Sequence, residues 1–93
     1  MNIKVENNNL IVEGLVRGNS EVAEIKSVIS NLTSKSISII FQDSYVIPSS
    51  LIGFLLKSIH DDKIDLSVVV KQPELYQLLD RLNLVSGLKV SKF

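Results

Sequence analysis

Side chains with reactive or ligating groups are few in this sequence, and most of them are scattered. Cysteine is absent and His60 is the one histidine, so thiolate chemistry, a disulfide framework and a zinc site built on several imidazoles are excluded. His60 is followed directly by Asp61 and Asp62. A nucleophile-base-acid triad needs partners joined in space, which neighbours in a polar run do not provide. His60 therefore reads as a solvated turn histidine, and the two aspartates read as turn residues. Gly14 and Gly18 lack the companion glycines and the lysine of a phosphate loop. Glu21 and Glu24 are accounted for as acids at a helix start. The expectation is a non-enzymatic protein with no cofactor and no metal.

One segment is different. Tyr45-Val46-Ile47-Pro48-Ser49-Ser50-Leu51 leads through Gly53 and Phe54 to Lys57, joining one apolar run to the next and placing two hydroxyls after a proline. Ser49 or Ser50 reads either as a helix cap or as a modifiable group. The second reading uses the unpaired N–H groups of a helix start, which favour anions. Phosphorylation there would add about −1.5 to −2 charges. On a helical wheel, Leu51, Ile52, Leu55, Leu56 and Ile59 form one stripe. Phe54 falls outside it, on the side of Ser50 and Lys57. That aromatic is either part of a partner-binding patch or packed under a neighbouring loop.

The elements that must hold this segment are legible from patterning. Asn7-Asn8-Asn9 marks a turn between Ile3-Lys4-Val5 and Leu10-Ile11-Val12, which predicts a hairpin. Gly14 and Gly18 flank Leu15-Val16-Arg17 and interrupt regular structure. Asn19 or Ser20 is the expected cap of a first helix whose stripe is Val22, Ile25, Val28, Ile29 and Leu32. Ile37 to Phe41 predicts a buried strand. Pro48 opens a second helix, and Ile64 to Val70 is the strongest strand. Gln72-Pro73-Glu74 starts a third helix with the stripe Leu75, Leu78, Leu79 and Leu82. Asn83 and Gly87 stop it, and Leu88-Lys89-Val90 predicts a last strand. Strands alternating with helices imply right-handed crossovers. The expected fold is α/β: a small mixed, mostly parallel sheet opened by a β-hairpin, with helices packed on it.

Composition sets the outer bounds. The chain has 93 residues, 45% of them apolar, with ten lysines and arginines against ten acids. That size predicts a single domain over residues 1–93. Zero net charge removes the long-range field that draws proteins to nucleic acid or anionic membranes. The N-terminal run has no apolar stretch of signal-peptide type. Leu51 to Leu56 is far shorter than the roughly twenty residues of a membrane span. The expected location is cytoplasmic, without membrane insertion.

The segment Ile47-Pro48-Ser49-Ser50-Leu51-Ile52-Gly53 resembles the Asp-Ser-Ser-Gly-Leu-Gly motif that starts the second helix of STAS domains. That family includes the anti-sigma-factor antagonists and the cytoplasmic domains of sulfate transporters. The likeness extends from Leu10-Ile11-Val12 to Leu82-Asn83-Leu84, since family members share an opening hairpin, a helix and then strand-helix units. Ser49, Ser50 and Gly53 match the motif, while Pro48 replaces its acid and Leu51 its first glycine. The resemblance implies a STAS-like interaction module that binds an anti-sigma factor or similar serine kinase. Ser49 would be its phosphorylation site, with Ser50 second. Pro48, Ser49, Ser50, Gly53, Phe54 and Lys57 would form the partner-binding face. It equally implies, as an alternative, a constitutive subunit docked on a transporter or signalling scaffold without phosphorylation. The expected oligomeric state is a monomer or weak homodimer.

Overall fold

Asn7 adopts a left-handed backbone (φ 56), which asparagine tolerates better than most residues. It reverses the chain between β1 (Asn2–Glu6) and β2 (Asn9–Glu13). These strands pair antiparallel, with Ile3 opposite Val12 and Val5 opposite Leu10. The computed structural model describes residues 1–93. After β2, helices and strands alternate as α1 (Asn19–Asn31), β3 (Ser36–Phe41), α2 (Ser49–His60), β4 (Asp65–Val70), α3 (Pro73–Arg81) and β5 (Val90–Lys92). The five-stranded sheet has the order β1-β2-β3-β4-β5, and β2 to β5 are mutually parallel. The patterning predicts this mixed, mostly parallel sheet with its opening hairpin.

Each crossover steps to the next strand in the same direction. Right-handed crossovers in that order place every helix on one face of the sheet. The strand burial patterns agree. Leu10, Ile39, Val68 and Val90 lie side by side across β2 to β5 and are all buried. Val12, Phe41 and Val70 form the next buried row. Residues of opposite parity, such as Ile11, Ser38, Ile40, Ser67 and Val69, point to the other face and are only half-buried. One core of 19 residues results. Phe41 is the largest side chain that is fully enclosed, and truncating such a residue to alanine costs about 3–5 kcal/mol.

Five local features depart from the expected pattern. Gly18, not Asn19 or Ser20, is the N-cap of α1. The Glu21 carboxylate takes the amides there, accepting from Gly18 N–H at 2.9 Å and Arg17 N–H at 3.2 Å. Pro48 is the N-cap of α2 rather than its first residue, with φ −63 and ψ 146. The core-facing line of α2 runs through Leu51, Leu55 and Ser58, all buried. Ile52, Leu56 and Ile59 are only partly buried beside it. Ser58 is accepted inside because its hydroxyl donates to the Phe54 carbonyl at 3.0 Å, the back-bond that serine makes within helices.

The remaining differences are at β5 and at the end of α3. Lys89 has a left-handed backbone (φ 49) and ends the turn after α3, so the strand begins at Val90 instead of Leu88. Leu88 still fills the core, fully buried, from that turn. Leu82 caps α3 beyond its last residue and is 49% exposed rather than part of the buried stripe.

Candidate functional site

Two loops leave the C-terminal ends of adjacent parallel strands and meet in front of α2. The first joins β2 to α1, the second β3 to α2. Gly14 begins the first with φ +83, a backbone that strains residues with a side chain. A Cβ there would lie 3.2 Å from the Met1 backbone. The Gly14 N–H donates to Asp43 Oδ2 at 2.7 Å, pinning the first loop to the second. Gln72 Nε2 donates to the Gln42 carbonyl at 3.3 Å and fixes the second loop from the far side. Ile47 anchors it in the core. Within the same loop the Ser44 hydroxyl is fully enclosed and has no hydrogen-bond partner.

Between the loops lies a cavity of about 430 Å³, lined by Leu15, Val16 and Arg17 on one side and Tyr45, Val46, Ile47 and Pro48 on the other. Tyr45 and Val46 are 49% and 53% exposed, so its rim presents apolar surface to solvent. Arg17 is the single cation of the lining, and it forms no ion pair. The crevice at the carboxyl ends of parallel strands is where α/β sheets bind their ligands.

Ser49 and Ser50 follow directly as the first two residues of α2, and both are exposed. Neither caps the helix, because Pro48 occupies the N-cap and no side chain bonds the first-turn amides. No acid lies in that first turn. The Leu51 and Ile52 amides donate to the Pro48 carbonyl, which leaves the Ser49 and Ser50 amides and the positive end of the helix dipole beside two unengaged hydroxyls.

Pro48, Ser49, Ser50, Gly53 and Lys57 come together. Pro48 is half-buried at the cavity edge, and the other four line the exposed side of α2. Gly53 has open space where a Cβ would sit. Phe54 turns elsewhere. It is half-buried between α2 and α1, with Lys26 Nζ 5.5 Å from its ring centroid, and it packs against the core. The rotation of α2 toward Ser58 carries Phe54 to that border. Arg17 and Asp43 join the site without any signal in the sequence. A lone arginine between two glycines and an aspartate after a strand are ordinary residues until the loops converge.

His60, Asp61 and Asp62 are exposed at the far end of α2. No group of three or more histidine, cysteine or acidic side chains is placed to hold a metal ion. No helix is long and apolar enough to cross a membrane. In comparisons with known proteins, no family model, no curated protein and no solved structure matches this chain.

Proposed function

We propose that this chain is a STAS-like protein-interaction module, docking an anti-sigma-factor or serine-kinase type of partner at the start of α2 and switched by phosphorylation at Ser49. One observation carries the reading: the Ser49 and Ser50 hydroxyls are exposed at a helix start that uses neither as a cap. The element order supports it, since a hairpin, a helix and strand-helix units are the layout of the resemblance. The cavity beside Pro48 supports it too, giving a partner an apolar recess next to the hydroxyls. In the switch, Ser49 Oγ would bond to the γ-phosphorus of the partner's ATP as the bond to the departing ADP breaks, with the hydroxyl proton passing to a base of the partner. The added charge suits the amides at the helix start, and it expels an apolar partner by desolvation and repulsion.

A second reading is a constitutive subunit of a transporter or scaffold. Pro48 at the N-cap of α2 favours it, because the family's motif places an acid at that position, beside its phosphorylated serine. Phosphate-affinity electrophoresis of the protein from its native cell separates the two. The switching reading expects a slower band, near-stoichiometric under some growth condition, that disappears in Ser49→Ala. A single unshifted band under every condition sinks the switch and leaves the constitutive subunit.

A further inference from the structure

The face of the sheet opposite the helices is bare. Lys4, Ile11, Ile40, Val69 and Ser91 stand in one register row across all five strands. Ile11, Ile40 and Val69 belong neither to the core nor to the apolar residues packed against it. Below this row the Ser38 and Ser67 hydroxyls bond each other at 2.9 Å, leaving that row smooth and without a long side chain at its centre. Parallel sheets are rarely left open on one face, because both faces of such strands are normally covered. Four of the five strands here are parallel neighbours, and the chain covers only one face of them.

The charges around the row are divided by wing. The β1–β2 wing carries Glu6 and Glu13 against Lys4, with Lys4 Nζ 3.7 Å from Glu13. The β4–β5 wing carries Lys71 and Lys89 against Asp65, with Lys89 Nζ 2.5 Å from Asp65. One wing is net acidic and the other net basic. β3 lies midway, with Ile40 at the centre of the apolar row.

We propose that this face docks a second copy of the chain, across a twofold axis running close to the direction of β3. A twofold interface must match itself, and this one does. The axis sets Ile40 against Ile40 of the other copy and Ile11 against Val69. It sets Glu13 opposite Lys71 and Glu6 opposite Lys89. Face-to-face sheets pack about 10 Å apart with their strands nearly aligned, which brings these side chains together. Five strands at about 4.8 Å and some five residues at about 3.3 Å give a footprint of roughly 400 Å². A stable complex buries about 800 Å² per partner. The dimer is therefore weak and reversible. It uses the face opposite the helices and leaves the start of α2 open, so it neither requires nor blocks the interaction proposed above.

Sedimentation equilibrium of the full chain, from micromolar to millimolar concentration at low salt, tests this. The expected result is a monomer-dimer equilibrium within that range. Ile40→Lys brings two like charges together at the axis and should weaken it about 100-fold or more, the scale of a like-charge clash at an interface. Glu13→Lys and Lys71→Glu should each weaken it about tenfold, and the double reversal should restore it. Circular dichroism of each variant verifies the fold. If Ile40→Lys does not fold, the charge-reversal pair decides alone. A wild-type chain that stays monomeric throughout overturns the proposal. So does a dimer indifferent to all of these changes.

Discussion

Gly14 and Asp43 lie 29 positions apart, yet the Gly14 amide donates to Asp43 Oδ2 at 2.7 Å. This bond holds the β2–α1 loop against the β3–α2 loop, next to the residues of both loops that line the cavity between them. Asp43→Ala should lower stability by about 1 kcal/mol, the usual net worth of a hydrogen bond, with a larger effect on the two loops. Denaturant unfolding measures the first part. Amide exchange of Gly14 to Arg17 measures the second, and unchanged protection there would separate Asp43 from the cavity's shape.

Ser49 is predicted to be dispensable for folding. A true N-cap serine costs about 1 kcal/mol on replacement by alanine, whereas a surface residue without such a role stays within about 0.5 kcal/mol. Ser49→Ala should fall in the second class because Pro48 holds the cap position. Ser49→Asp should stabilise by about 0.3–1 kcal/mol, since a negative charge in the first turn meets the helix dipole. Thermal unfolding of the two variants checks both.

Gly53 sits inside α2, and a Cβ added there would meet nothing within 4 Å. Helix interiors favour alanine over glycine by about 0.8–1 kcal/mol, so Gly53→Ala should raise stability by about that amount. Loss of partner binding in this more stable variant would mark close approach of a partner backbone at Gly53. Calorimetry and a binding titration read the two effects separately.

Glu21 carries the pH dependence that the structure makes legible. The Ser20 hydroxyl, followed by the Gly18 and Arg17 amides, donates to its carboxylate and holds its pKa below the ordinary 4.5. The ionised form is favoured by folding, so its contribution is complete above 4.5 and is lost as the pH falls through the depressed value. Unfolding curves between neutral and acidic pH should show wild type losing stability in that window. Glu21→Gln should lose less there while starting lower at neutral pH.

The Ser44 hydroxyl is enclosed with no partner, and such a group carries a desolvation penalty of about 1–3 kcal/mol. Ser44→Ala should therefore be neutral or stabilising by about 1 kcal/mol. A marked destabilisation would show that the hydroxyl has a partner in solution, a bound water being the simplest.

The residues themselves determine which segments become strands and helices, and in what order. That information is local: the short β-branched run Ile37 to Phe41, three-and-four spacing in Val22 to Ile29, the turn at Asn7, Pro73 at the start of α3. They also determine the serine pair after Pro48 and the neutral charge that makes any recognition local. Three things depended on the tertiary structure. The rotation of α2 is decided by packing that accepts Ser58, whose back-bond to Phe54 hides its polarity. The start of β5 is decided by the left-handed turn at Lys89. The largest difference is the one-sided sheet. Apolar runs such as Ile39-Ile40 and Val68-Val69-Val70 suit a strand covered on both faces. Which edge each crossover extends is a choice among distant segments that no local pattern encodes. Only the order β1-β2-β3-β4-β5 places every helix on one face, leaves Ile11, Ile40 and Val69 bare on the other, and brings Arg17 to Pro48 at the mouth of the cavity.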